Sequence, residues 1–242
     1  MNFKLSLFIG LVLVGCTTQM KNEEVSTLNN NLEVINDPHS YAEPTQSLVT
    51  HLDWKANVNF ENKVITAEAT LHLKNADDAA QIVLDTKALT IESVTSNEQT
   101  LDFILGENDE FLGQPLSIKI TPEITSVTIK YTTSKEAEAL QWLAPVQTAD
   151  KNSPFLFTQS QAILARSWVP IQDSPGIRFT YNAEVTVPSD LLALMSAENP
   201  TKKNDAGTYT FKMEQPIPAY LLALAVGDLE FKSLGPRSGV YA

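Results

Sequence analysis

Cysteine is almost absent: Cys16 is the single one in 242 residues, so no intramolecular disulfide can form and stability must come from the core. Basic clusters are absent as well. With 29 acidic residues against 17 basic and a formal net charge of −12, the chain has no patch to draw a polyanion, which argues against nucleic acid as a partner. The acidity serves solubility first and gives a weak attraction for cationic peptides second. No apolar run approaches the roughly 20 residues that a membrane-spanning helix needs. The motifs H-E-x-x-H and G-x-S-x-G are missing, as is any glycine-rich phosphate loop, and with them go the sequence signs of a zinc peptidase site, a serine nucleophile and a nucleotide site. His39, His51 and His72 are the only histidines. None has a ligand-type neighbour in the sequence, so no metal ligand is expected among them.

What is present begins at the N-terminus. Lys4 precedes an apolar stretch from Leu5 to Val14 interrupted only by Ser6 and Gly10, which predicts a signal peptide over residues 1–15. Its end, Leu13-Val14-Gly15-Cys16, has the pattern of a bacterial lipobox. That resemblance implies lipidation of Cys16 by a diacylglyceryl thioether and an acylated amine, and several acyl chains anchor stably where one is marginal. A membrane is therefore an expected partner through the lipid anchor, and the bacterial cell envelope the expected location. Thr17, where Asp would favour inner-membrane retention, points to the outer membrane. Residues 16–45 are polar and irregular, with Asn29-Asn30-Asn31, Asp37-Pro38 and Glu43-Pro44, and predict a flexible tether with a reach of roughly 30 Å.

From Ser47 the pattern becomes period-two alternation. Ala67, Ala69, Leu71 and Leu73 alternate with Glu68, Thr70, His72 and Lys74; Leu116, Ile118 and Ile120 alternate with Ser117 and Lys119. Val127, Ile129 and Tyr131 repeat the pattern, as do Phe179, Tyr181, Ala183, Val185 and Val187. Such runs are strands with one buried face. Turn signals at Glu61-Asn62, Gly106 to Asp109, Gly113, Pro188 to Asp190 and Asp205 to Gly207 separate them. No long capped amphipathic helix appears, so residues 46–234 predict an all-β domain of twisted antiparallel or mixed sheets. Two stretches break the alternation: Phe155-Leu156-Phe157 leading into 159–166, and Tyr220 to Val226, apolar at every position. Continuous apolar runs suit strands covered on both faces, and they predict either a central strand or a face on which another domain docks.

Several words in the second half carry more. Leu140-Gln141-Trp142-Leu143-Ala144-Pro145, Phe155-Leu156-Phe157-Thr158-Gln159-Ser160-Gln161-Ala162, Pro170 to Pro175, Tyr181 to Pro188, Ala193 to Ala197 and Pro216 through Gly235-Pro236-Arg237 resemble the leukotriene hydrolase branch of the aminopeptidase N family. The earlier word Leu84 to Glu92 fits the same branch, and the likeness runs from about residue 47 to 242. It implies a saddle-shaped, all-β N-terminal domain packed on a thermolysin-like catalytic domain. It also implies zinc as the cofactor of the full-length parent, and hydrolysis of N-terminal residues from peptides by metal-activated water. The family's H-E-x-x-H with a later Glu, its general base and its G-x-M-E-N loop do not occur here. The resemblance therefore implies a fragment with no catalytic residue, inactive alone, in which residues 235–242 begin a missing catalytic domain. Its expected partners are peptide substrates and that domain.

The same resemblance assigns one pocket element to this chain. In the loop Gln159-Ser160-Gln161-Ala162, Gln161 would contact the substrate backbone or N-terminal residue, with Gln159 and Ala162 lining the pocket. Typical aminopeptidase N members have Gln-x-Glu-Ala there, and the Gln at 161 fits the leukotriene hydrolase branch. The alternative from another class is a non-catalytic β-rich lipoprotein that acts as a binding or adhesion module. The lipobox generates a direct test. Cys16→Ser should block fatty-acid incorporation and normal lipoprotein cleavage, read by metabolic labelling; wild type and variant both found soluble and unlabelled would contradict the anchor.

Overall fold

Branched and aromatic residues at every second position build long strands, and in the computed structural model, which describes residues 37–242, they do so from Ser47 onward. The signal peptide, Cys16 and the tether up to residue 36 lie outside the described residues. Sixteen strands are present among those described. The first two, β1 (Ser47–Asn59) and β2 (Val64–Asn75), form a hairpin. They are followed by β3 (Gln81–Thr86), β4 (Thr90–Ser96), β5 (Gln99–Thr100), β6 (Phe103–Leu105), β7 (Gln114–Lys119) and β8 (Ser126–Thr132). The second half supplies β9 (Leu140–Leu143), β10 (Phe155–Thr158), β11 (Phe179–Thr186), β12 (Leu192–Met195), β13 (Thr208–Ile217) and β14 (Leu224–Gly227), then β15 (Phe231–Gly235) and β16 (Ser238–Tyr241). Among the described residues helix is confined to three short 3₁₀ turns.

A seven-stranded sheet runs in the order β13-β11-β1-β2-β8-β4-β5. It is mixed, because β1 pairs with β11 in parallel, His51 opposite Thr180 and Asn57 opposite Thr186, while its other pairs are antiparallel. A four-stranded sheet, β12-β14-β10-β9, and a three-stranded one, β3-β7-β6, accompany it, and β15 and β16 pair alone. The expected boundary at 234/235 falls inside that last hairpin.

The alternating residues meet in one core. Leu52, Leu71, Val127, Ile129, Tyr131, Phe179, Tyr181 and Val185 are fully buried, each such aliphatic or aromatic side chain contributing about 1.5–3 kcal/mol over its exposed state. At the centre the Trp54 indole stands edge-on to Trp168, with ring centroids 5.3 Å apart. Its Nε1–H donates to the Tyr131 hydroxyl at 2.9 Å, which in turn donates to the Trp168 carbonyl at 2.8 Å. A polar chain of this kind is tolerated in a core because each member finds a partner.

The run Tyr220 to Val226 differs from a strand covered on both faces. Leu222, Leu224 and Val226 are buried, Leu221 is exposed, and Tyr220, Ala223 and Ala225 are half-buried. Ala219–Leu221 is a 3₁₀ turn, and only 224–227 form a strand, central in the four-stranded sheet. The run looks continuous because the outward positions are apolar too.

Arg166 has no exposed surface. Its Nε donates to Asp173 Oδ2 at 3.2 Å, Nη1 to the Leu112 carbonyl at 2.8 Å, and Nη2 to the carbonyls of His39 at 2.7 Å and Asp173 at 3.0 Å. Asp85, also fully buried, lies 3.7 Å from Nη1 and accepts from Ser40 Oγ at 2.6 Å and from the backbone N–H groups of Tyr41 at 2.7 Å and Asp173 at 2.8 Å. Burial pushes the Asp173 carboxyl up to about 6 against the pull of the guanidinium. Residues 39–41, expected as tether, are thus bonded to the domain by a charged knot. Removing one partner of a buried pair strands the other charge, so Arg166→Met should cost about 3–5 kcal/mol of unfolding free energy in urea titration. Arg166→Lys should recover little, since an ammonium cannot reproduce the fork of donors. A loss below about 1 kcal/mol for Arg166→Met would contradict this role.

Candidate functional site

The loop expected to line a substrate pocket follows β10 directly. Its four residues divide by exposure: Gln159, Gln161 and Ala162 are exposed, whereas Ser160 is buried. Ser160 Oγ donates to the Leu222 carbonyl at 3.1 Å and accepts the Trp168 Nε1–H at 3.1 Å. Both ends of the turn are fastened to backbone: Gln159 N–H donates to the Ala139 carbonyl at 2.9 Å, and Leu164 N–H to the Ser160 carbonyl at 2.8 Å. The side-chain carbonyl of Gln159 accepts the Gln161 N–H at 3.0 Å, and the Gln161–Ala162 peptide is cis. A buried hydroxyl with two partners sits between two glutamines held at the surface. A primary amide can donate and accept at once, which suits it to a peptide group.

Beside this loop the four-stranded sheet turns an apolar face outward. Phe157 stands opposite Ala225 on β14 and Gln141 on β9, and Leu194 on β12 stands opposite Ala225. Phe155 pairs with Leu143 and covers Gly227, where an added Cβ would come within 2.5 Å of the Phe155 ring. The two Phe rings stack with centroids 5.9 Å apart. Phe157 is 38% exposed and Leu221 47%, so large apolar side chains lie open around the glutamines. A concavity of about 440 Å³ opens next to this face, lined among others by Leu143, Thr148, Asp150, Phe155, Asp228 and Glu230.

His51 and His72 stand in the sequence as isolated strand residues, but the fold brings them together. Both rings reach Asp53: His72 Nε2 lies 2.8 Å from Oδ2 and His51 Nε2 3.3 Å from Oδ1, while Asn182 Nδ2 donates to Oδ1 at 2.9 Å. Partial burial works to raise the Asp53 carboxyl, yet the bonds from Asn182, His72 and His51 hold it below the usual 3.8. The pairing of β1 with β2 and β11 creates this group, and nothing local in sequence announces it. His39 lies apart, its ring beside Asp37 at 3.3 Å. Cys16 lies outside the described residues.

Residues 48–221 match the family model of the peptidase M1 N-terminal domain. The chain belongs to the M1 peptidases and carries their N-terminal domain. Leukotriene A-4 hydrolase of Xenopus laevis is 40% identical over 216 residues, covering 85% of this chain and 36% of that protein. Leucine aminopeptidase 2 of Yarrowia lipolytica is 36% identical over 220 residues, covering 90% of this chain and 32% of that protein. The structure of native yeast leukotriene A4 hydrolase superposes with a TM-score of 0.78 at 32% identity, over 85% of this chain and 32% of that one. An M1 zinc metallopeptidase of Deinococcus radiodurans shares the fold, with a TM-score of 0.62 at 20% identity over 81% of this chain and 46% of that one. The chain spans about a third of the length of the curated relatives it matches. Zinc belongs to such relatives by name, but the M1 domain has no H-E-x-x-H. Among the described residues no three or more His, Cys, Asp or Glu side chains stand arranged around a metal position. The family's zinc does not fit the residues present.

Proposed function

We propose that this M1 domain is scaffold and part of the substrate pocket of a zinc aminopeptidase that removes N-terminal residues from peptides. The outward apolar face of the four-stranded sheet is the surface on which the catalytic domain sits, and the protein is anchored in the bacterial envelope through lipid on Cys16, at the outer membrane. The observation that carries the pocket role is the loop after β10, where exposed Gln159, Gln161 and Ala162 surround a fully bonded Ser160 at the edge of an open apolar face. Stacked Phe155 and Phe157 would be costly to leave in water and favour a covering partner. The family match over 48–221 does not favour a free-standing adhesion module.

In this reading Gln161 hydrogen-bonds the peptide group or N-terminal residue of the substrate, while Gln159, bonded through its own amide to the Gln161 N–H, steadies the turn and walls the pocket with Ala162. A neutral amide does this without altering the titration of charged neighbours. With the catalytic domain present in the same chain, Gln161→Ala should lower kcat/KM for aminoacyl substrates by several-fold to about tenfold, the loss of a bond of about 0.5–1.5 kcal/mol. Zinc content and folding should be unchanged, and Gln159→Ala should lower it less. Kinetics unaltered by Gln161→Ala across several substrates would reduce the domain to scaffold and anchor.

A further inference from the structure

The chain reaches β1 through a short segment tied to the residues that close the glutamine loop. The His39 carbonyl accepts from Arg166 Nη2 at 2.7 Å. Ser40 Oγ and the Tyr41 N–H donate to the two carboxylate oxygens of Asp85 at 2.6 Å and 2.7 Å. Ser40 Oγ also accepts the Ala42 N–H at 3.1 Å, and the Tyr41 hydroxyl donates to the Gly113 carbonyl at 3.3 Å. All three residues are therefore bound before the first strand begins at Ser47.

Arg166 receives this segment and also ends the loop. It lies in the 3₁₀ turn Ala165–Ser167, where its N–H donates to Asp173 Oδ2 at 3.2 Å and its carbonyl accepts the Lys87 N–H at 2.9 Å. The stretch from Ser160 to Arg166 is thus held at both ends, at Ser160 by Leu222 and Trp168, and at Arg166 by His39, Leu112 and Asp173. Without residues 39–41 a fully buried guanidinium lacks one acceptor and a fully buried carboxylate lacks two donors. A buried charge short of a partner costs more than the net worth of the bond, so water has to reach Arg166 and Asp85. The element that yields to let it in is the 3₁₀ turn, whose hydrogen-bond geometry is poorer than that of an α-helix. The centre of the seven-stranded sheet keeps its own ladder.

We propose that residues 39–41 are a strap that holds the glutamine loop in its binding form, so that the segment joining the expected tether to the domain governs the order of the pocket. The consequence for peptide binding rests on Gln161 being a substrate contact; the coupling of strap to loop does not. The strap positions and touches no substrate.

The test compares amide hydrogen exchange in the full chain with that in two variants, one lacking residues 1–42 and one carrying Ser40→Ala, with circular dichroism as the folding check. The N–H groups to follow are those of Leu164 and Lys87, bonded to the carbonyls of Ser160 and Arg166. Removing the strap should speed their exchange at least about tenfold more than it speeds that of the β1–β2 ladder. Ser40→Ala, which takes away one donor to Asp85, should favour the same two groups over the ladder by about threefold or more. It decides the matter if the shorter chain does not fold. Equal acceleration throughout would make the strap a general stabiliser, and unaltered exchange at Leu164 would make the loop independent of it; either result overturns the proposal. A Gln161→Ala enzyme with unchanged kinetics would instead remove the pocket role and leave the strap result standing.

Discussion

The buried Arg166 guanidinium is the constraint on which the rest of the structure leans. A charge with no exposed surface survives only if its donors are satisfied, and Arg166 meets that demand from several elements at once. They are the Asp173 carboxylate and carbonyl, the Leu112 carbonyl beside the three-stranded sheet, and the His39 carbonyl ahead of β1. Asp85 on β3 adds bonds to Ser40, Tyr41 and Asp173. The start of the described chain, the small sheet and the segment between β10 and β11 are thereby fixed to one another. Gln172, next to Asp173, extends the arrangement: its amide accepts the Val49 N–H at 2.9 Å and donates to the Ser47 carbonyl at 2.8 Å, which sets the beginning of β1.

That knot lies five residues beyond Gln161 in sequence, and the intervening turn is packed rather than loose. Ala165–Ser167 forms a buried 3₁₀ turn, Trp168 ties Ser160 to the core, and Ser160 ties the loop to Leu222. Gln159, Gln161 and Ala162 are consequently exposed without being unsupported. Rigid support of this kind is what positions a side chain for binding, since a loop that must be ordered on contact loses affinity to entropy.

Periodicity made most of the fold legible. Ala67 to Leu73, Val127 to Tyr131 and Phe179 to Val187 face the core as their alternation predicts, because with one face buried a shift of one residue would expose the whole set. It leaves two readings open where both faces are apolar: Tyr220 to Val226 fits a central strand or a docking face, and it is a turn followed by a short inner strand of the four-stranded sheet whose outward side is half open. The glutamine loop was visible through resemblance alone, since no local rule distinguishes Gln161 from any strand-end amide. The His51–Asp53–His72–Asn182 group was invisible, because His72 meets Asp53 only through the register of the β1–β2 hairpin and Asn182 only through a parallel pairing of β1 with a strand some 130 residues away, and such register leaves no local signature. The tie of residues 39–41 was missed for the same reason: Ser40 and Tyr41 look like linker until Asp85 is beside them.

This domain presents the glutamine loop already formed, its turn fastened by the domain's own bonds. Amide hydrogen exchange on the isolated chain tests it most directly. The N–H groups of Gln159 and Leu164, bonded to the carbonyls of Ala139 and Ser160, should be protected to nearly the same degree as those of β1 and β2, opening only with the global unfolding of the domain. Exchange of Gln159 and Leu164 at the rate of an unstructured peptide, while β1 and β2 remain protected, would contradict it.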